Sequence, residues 1–462
     1  MRVVRRLDRS LALRLAVVGL AAGIVVGGAP GVSHANGRFP RTVKLVPRPG
    51  HPQEMALGVT FGLLVTKDDG AHWQWMCESA IGFEGTFDPD YEMTSAGTLL
   101  ATTFRGMKIT RDGGCHWTLA PAPLGDAYIS VIAVGPDDAI YAAASSGDES
   151  RIFKSTDDGV TFVPTGPVGA AGDWWTSIEV APGDPQRVYL AGFRAMGAEP
   201  RQRLLFRSTD GGAHWTQLPT TALAGTDNSE LQIAAISPTD PDRVLMRVTL
   251  TAAGLQETIY LTEDAGTTAA GGPTWVKVLE EPDNIPGVVV RRDGTVWAAT
   301  PAHGLLKSTD GGRTFAVVPD VTYEGRCLTE RDDGVLFLCA NDLPPDERGL
   351  TSSTTGAAGT WTPRLRFANI GAPVACEAGT TQRDDCQAIV WCGLKDQLGI
   401  TSDVVACESA VDAGIDAGTV SPPGKSCCDT GGGPPALEVG LVMLGLVPGW
   451  RRRRRAQGGA RA

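Results

Sequence analysis

A short motif, [Ser/Thr]-x-Asp-x-Gly-x-x-[Trp/Phe], returns along the middle of this chain at a nearly constant interval. Full copies run from Thr66 to Trp73, Thr110 to Trp117, Ser155 to Phe162, Ser208 to Trp215 and Ser308 to Phe315. Thr262, Asp264 and Gly266 begin a copy whose aromatic is delayed to Trp275, and Ser352, Gly356 and Trp361 form one with Thr354 in place of the Asp. First positions step by 44, 45, 53, 54, 46 and 44 residues. Self-similarity at this period means one supersecondary unit stacked on copies of itself, because a unit of that size cannot bury its own apolar face alone.

Each motif reads as a hairpin turn. The carboxylates of Asp68, Asp112, Asp157, Asp210, Asp264 and Asp310 are expected to accept backbone N–H groups, the Gly supplies positive φ, and the aromatic re-enters the sheet packing. These are folding roles. An earlier turn precedes each motif, as at Asp137-Asp138, Asp184-Pro185, Asp240-Pro241 and Asp293-Gly294, and alternating apolar residues follow it. Two hairpin turns per period give four strands, the content of a propeller blade. The expected fold class is all-β, a seven-bladed β-propeller of four-stranded blades spanning residues 36–372. Whether the ring closes by overlap of its first and last strands is left open. In an up-and-down meander the two turns of each blade share one face, so the remaining loops collect on the other.

The motif resembles the Asp-box, or BNR, repeat of sialidases, sortilin-type receptors, xyloglucan hydrolases and photosystem assembly factors. The resemblance implies the propeller and a peripheral place for the motif carboxylates. It is nearly silent on chemistry, because those families share the repeat and differ in activity. A sialidase would also need an arginine cluster, a Tyr/Glu nucleophile pair and an entry motif near the first blade. The segment Phe39-Pro40-Arg41-Thr42 does not supply that entry motif; Arg105, Arg194 and Arg326, with Tyr323-Glu324, are the nearest candidates for the rest.

The ends read as addresses. Five Arg precede the apolar run Leu15 to Gly28, and Ser33-His34-Ala35 offers a cleavage site, so residues 1–35 are expected to be a secretory signal peptide. At the other end Cys427 and Cys428 precede an apolar stretch, Ala436 to Trp450, and the basic run Arg451 to Arg455. This order resembles the MYXO-CTERM sorting tail of myxobacterial and related proteins, which implies processing by a sorting protease and surface display through a modified Cys at or near Cys427 and Cys428. Residues 373–410 are expected to form a Cys-rich helical appendix, 411–426 a flexible stalk and 427–462 the sorting tail. The expected partners are therefore export and sorting machinery, and a membrane before or after tail processing. With five Arg and one Asp in residues 1–35, and six Arg and two acids in 428–462, the formal net charge of -11 leaves -19 on residues 36–427. An acidic body of this kind excludes nucleic acid as a partner, since such partners select a basic face.

Eight Cys besides those of the tail suggest disulfides in an exported chain. Cys327 and Cys339 flank the turn Arg331 to Gly334 symmetrically and are expected to pair across a hairpin. Cys77 and Cys115 are expected to join neighbouring blades, and the pairing of Cys376, Cys386, Cys392 and Cys407 is open. No metal or cofactor is expected, because no Cys-x-x-Cys or calcium-loop spacing is present. The ligand site is expected on the loop face. There Trp174 and Trp175 stand beside Asp173, so that one indole could stack on a sugar. Arg194, in an enlarged loop from Arg194 to Arg203, and Arg105 are further ligand-binding candidates. Glu84, Asp88, Asp173 and Glu324 share that face, and Asp173 with Glu324 is the weak candidate for a glycosidase acid/base pair. The leading expectation is a surface-displayed, non-enzymatic recognition module for glycan or protein ligands. A glycoside hydrolase of xyloglucanase or sialidase type and an envelope-assembly scaffold are the alternatives.

Overall fold

A computed structural model describes residues 39–401 apart from 84–86, 146–149, 167–168, 171, 197–198, 224–228, 251–255, 268–270 and 345. The leader, stalk and tail, with Cys407, Cys427, Cys428 and Glu84, lie outside the described residues.

Seven antiparallel sheets of four consecutive strands follow one another along the chain, over residues 42–76, 91–119, 129–165, 173–217, 230–281, 287–317 and 327–365. The first strands of successive blades contact one another all the way round, the seventh touching the first, and they line a central channel. The fold is thus a seven-bladed β-propeller. Middle strands such as Leu99–Thr103, Ile140–Ala144 and Val296–Thr300 are buried at every residue. Both faces of a blade pack on neighbouring blades, so these strands read as continuous apolar runs with small residues and not as alternation.

The motif turns show why their residue types recur. In blade one the Thr66 hydroxyl donates to Asp68 Oδ1 (2.9 Å) and accepts the Gly70 N–H (3.0 Å), while Asp68 Oδ1 accepts the His72 N–H (2.9 Å). Ser155, Asp157, Gly159 and Thr161 repeat the pattern. Hydrogen bonds from the Thr161 hydroxyl and N–H pull Asp157 down to about 2, and the His214 N–H and imidazole do the same for Asp210. Gly114 shows the glycine requirement. Its φ is +102°, and a Cβ there would lie 1.9 Å from Met76 Sδ. In blade five the insertion is absorbed because Thr274, ten residues on, donates its N–H to Asp264 Oδ1 (2.7 Å). The seventh turn, lacking the Asp, is rebuilt. Ser353 and not Ser352 accepts the Gly356 N–H (2.8 Å), and Thr360 bonds the Ser353 hydroxyl (2.6 Å).

The turns also tie blades together. The carbonyl of the residue after the motif Asp accepts from a basic side chain of the preceding blade at Asp69 (from Arg364), Asp158 (from Arg111), Gly211 (from Lys154), Ala265 (from Arg207) and Gly311 (from Arg243).

The four-stranded meanders of blades one and seven are each built from one continuous stretch of chain, so neither meander is completed by a strand from the other end, although the C-terminal side adds an edge strand to blade one. The seam is held in other ways. Thr42 Oγ1 donates to Ala340 O, Thr329 Oγ1 to Leu45 O, and Trp73 Nε1 to Arg364 O. The segment Ala372–Pro373 then runs parallel to Gln74–Met76 as a fifth strand on blade one. A helix over residues 382–398 follows, whose Cys386, Trp391 and Leu394 enter the same apolar cluster as Trp75 of blade one and Leu350 and Leu365 of blade seven.

The disulfides correct one expectation. Cys77 bonds Cys386 and Cys115 bonds Cys376, so Cys77 and Cys115 are not joined to each other. Each instead holds the appendix, which lies along the rims of blades one and two. Cys327 and Cys339 are bonded across the hairpin, where they are direct register partners, and Cys392 is also disulfide-bonded.

Candidate functional site

The loop face carries the site candidates. Trp174 and Trp175 are consecutive residues of the strand Asp173–Ala181, so their side chains point to opposite sides. Trp175 is fully buried, and Trp174 is 39% exposed. Trp174 is the end of an aromatic arc that spans three blades. Its ring lies 5.2 Å from Tyr128, Tyr128 lies 5.8 Å from Phe104 in a stacked arrangement, and Phe104 lies 4.5 Å from Phe87. Phe104, at the tip of a blade-two hairpin, is 58% exposed. Burial among these rings pushes the Tyr128 hydroxyl pKa upward.

Asp173 and Arg194 are brought together, but as a structural pair. Arg194 Nε and Nη2 donate to Asp173 Oδ1 (2.5 Å) and Oδ2 (2.9 Å), and the Ala170 N–H donates to Oδ2 (2.8 Å). Asp173 is 1% exposed. The expected loop from Arg194 to Arg203 is instead the end of a long hairpin, Asp184–Met196 with Glu199–Ser208. The fork pins this hairpin to the strand that presents Trp174. Asp173 therefore positions the indole, and Arg194 commits its Nε and Nη2 donors to that carboxylate. Arg105 is different. It is exposed beside Phe104 and makes no ion pair among the described residues.

Glu324 and Asp173 do not form a pair. Glu324 precedes blade seven and Asp173 opens blade four, three blades apart in a ring of seven, and Glu324 accepts from Arg326. Tyr323 is buried with its hydroxyl against Thr351 Oγ1 (3.2 Å). Arg105, Arg194 and Arg326 stand on blades two, four and seven, so they form no cluster.

Inside the arc the channel opens into a cavity of about 450 Å³ lined by Lys44, Asp88, Asp90, Thr176, Glu179 and Gln232, among others. It meets a second cavity of about 830 Å³ toward the motif-turn face. The Lys44 ammonium donates to Asp90 (2.6 Å) and Glu92 (2.8 Å). Glu179 lies where the two cavities meet, exposed to the lumen but ringed by the inner strands; its separation from bulk water, opposed by Lys44 and reinforced by Glu92 and Asp90, pushes it up to about 8. A raised carboxyl holds its proton more tightly in the folded state, so folding stability falls as pH rises from the ordinary carboxylate range toward 8. The Glu179→Gln variant is expected to be more stable than wild type by about 1 kcal/mol at pH 8, a figure discounted for the water of the lumen, and equal to it at pH 4. Thermal unfolding at both pH values checks this; equal midpoints at pH 8 would refute it.

Sequence reasoning missed Phe87, Phe104 and Tyr128 and the channel charges. Charged residues set among apolar ones within first strands, Lys44 in Thr42–Pro47 and Glu179 in Asp173–Ala181, were the available signal for the latter.

No family model matches the chain, and no curated protein matches it in sequence. Solved structures do match. PorZ, a surface component of the type-IX secretion system of Porphyromonas gingivalis, aligns at 14% identity and a TM-score of 0.50, covering 68% of this chain and 47% of PorZ. The GH74 xyloglucanase of Xanthomonas campestris aligns at 16% identity and a TM-score of 0.39, over 73% of this chain and 59% of the enzyme. YCF48 from Cyanidioschyzon merolae aligns at 18% and 0.44, over 65% and 92%. The chain thus spans less than two thirds of the xyloglucanase and of PorZ, and at these identities the likeness concerns the fold alone.

Proposed function

We propose that this chain is an exported, surface-displayed Asp-box propeller that acts as a non-enzymatic recognition module, reading glycan or protein ligands on its loop face. The observation that carries the proposal is the aromatic arc Phe87, Phe104, Tyr128 and Trp174, with both ends of the Phe104 to Trp174 stretch open to solvent. Partly exposed aromatic surface costs solvation in the free protein and suits the apolar face of a sugar or a peptide side chain. Arg105 at the edge of the arc supplies a charged donor. The occupied carboxylate of Asp173 and the separation of Glu324 support binding over hydrolysis. Residues 1–35 and 427–462 are the proposed export and display signals, and the disulfides suit an oxidising compartment.

A panel of polysaccharides and envelope-protein peptides, with bound protein and released reducing ends read together, tests this. The expected result is binding without release, weakened about ten-fold or more by Trp174→Ala, the loss typical of an aromatic anchor. Release of reducing ends that persists in a purified chain would overturn the non-enzymatic reading. Binding that Trp174→Ala and Phe104→Ala leave unchanged would place the site elsewhere.

A further inference from the structure

Three blades carry an aromatic on the second strand directly opposite a basic residue on the third: Tyr141 with Lys154, Tyr189 with Arg207, and Trp297 with Lys307. In the first two, the next blade accepts a hydrogen bond from both the aromatic and the base. Tyr141 Oη and Lys154 Nζ both donate to Gly211 O (2.9 Å each), Tyr189 Oη donates to Pro241 O (2.9 Å), and Arg207 donates to Ala265 O. In blade six neither donor is satisfied. The Trp297 indole N–H is buried without an acceptor, and Lys307 rests its ammonium 4.8 Å from the Trp297 ring centre with no hydrogen bond to protein.

The cause lies in the seventh motif. Its Asp is replaced by Thr354, the turn is rebuilt around Ser353 and Thr360, and the carbonyl of Thr355, which corresponds to those of Gly211 and Ala265, does not receive the lysine. What remains between blades six and seven is a cavity of about 300 Å³. Its walls are Trp297, Val317, Val318, Pro319 and Ala357, with Lys307 as its cation. Gly356 approaches the Trp297 ring so closely that a Cβ there would lie 2.5 Å from it, so the indole cannot swing toward the turn to find an acceptor. A buried donor without a partner costs stability, and an ammonium over apolar walls, with Asp293 acting on it only through space and no acceptor hydrogen-bonded to it among the described residues, selects an anion with an apolar body.

We propose that the cleft between blades six and seven binds a small apolar monocarboxylate, its carboxylate on the Lys307 ammonium and its hydrocarbon against Val317, Val318, Pro319 and Ala357. This site is independent of the aromatic arc and of the loop-face reading. Charge and shape divide the work: the ammonium selects the acid, and the cavity volume limits the chain to a few carbons or one ring.

Hexanoate titrated into the full chain tests the proposal, with the indole N–H signal of Trp297, assigned by its loss in Trp297→Phe, as the reporter. Hexanoate is expected to shift that signal saturably, hexanol at least about ten-fold more weakly, the weight of one charge-assisted hydrogen bond, and hexylamine not at all. Lys307→Met keeps the apolar stem and is expected to weaken hexanoate about ten-fold with no change in unfolding temperature, and Lys307→Arg to restore binding. The absence of a saturable shift in wild type, equal saturation by hexanol, or undiminished hexanoate binding by Lys307→Met would each overturn it.

Discussion

Replacing both Cys77 and Cys386 with alanine is expected to lower the stability of the ring by about 3 to 5 kcal/mol, more than any single surface change. The bond joins residues 309 apart in sequence, so in the unfolded chain it closes a loop that spans nearly the whole propeller. The entropy removed from the unfolded ensemble by a loop of that length corresponds to about 6 kcal/mol at most, and delivered values fall below this limit. The second bond, Cys115 to Cys376, closes much of the same loop, with a separation of 261, and keeps part of the effect in the single-bond variant. Urea unfolding reads the loss directly. The variant's midpoint is expected to fall, and trypsin is expected to cut the appendix near Arg383 before the blades. An unchanged midpoint would mean that side-chain contacts alone close the ring.

Arg331→Ala is expected to cost about 2 kcal/mol, since a buried guanidinium loses its hydrogen bonds while the partner carboxylates Asp69 and Asp333 are partly exposed and keep some hydration. Arg331 is 6% exposed at the junction of blades seven and one. Its guanidinium donates to Asp333 Oδ1 (3.0 Å) and Oδ2 (2.9 Å), to Asp69 and to the carbonyl of Pro52, and it lies 5.1 Å from the Phe337 ring centre. Alanine leaves Asp333 and the Pro52 carbonyl without the guanidinium, and leaves Asp69 with Arg364 alone (3.5 Å). Arg331→Lys keeps the charge without the fork and is expected to recover only part of the loss. The sign of the pH dependence separates this from a packing effect. Hydrogen bonds from Arg331 hold Asp333 below the usual carboxylate range, so their stabilisation is present above that range and is lost as pH falls through the lowered value. The gap between wild type and Arg331→Ala is therefore expected to narrow in acid. A gap constant from pH 7 to pH 3, measured by urea midpoint, would assign the cost to lost packing.

What the sequence made legible is what local chemistry encodes. A hydroxyl, a carboxylate and a glycine within five residues are enough to build a turn, so Thr66 to Gly70 and its copies announced the blades and their number. Even the degenerate copy kept Gly356, whose conformation and neighbours require a glycine. Alternation separated Trp174 from Trp175, although it could not say which indole faces out. Longer-range features were closed to the same reasoning. Cys77 finds Cys386 only because the appendix folds back over the seam, which no spacing rule reveals. The arc from Phe87 to Trp174 depends on how three blades are turned relative to one another. The appendix helix presents Cys386, Trp391 and Leu394 to the core and leaves Ile389 62% exposed. The wider π-helical winding over Gln382–Val390 shifts the phase that a regular 3.6-residue turn would give.

The route by which the appendix is stitched to the ring also decides how the molecule would bear a load. The chain leaves the described fold at Thr401, just after a helix bonded to blade one through Cys386 and preceded by the link from Cys376 to blade two. Tension applied to the segment beyond Thr401 would reach covalent bonds first and be spread across the outer strands of two blades in shear. Blade seven, the last blade before the appendix in sequence, would be spared the peeling force that a tail attached directly to Leu365 would deliver to its edge strand. A propeller held by its tail in flowing liquid would be slung from the blades at its own beginning, with the strands nearest the tail in sequence carrying little of the strain.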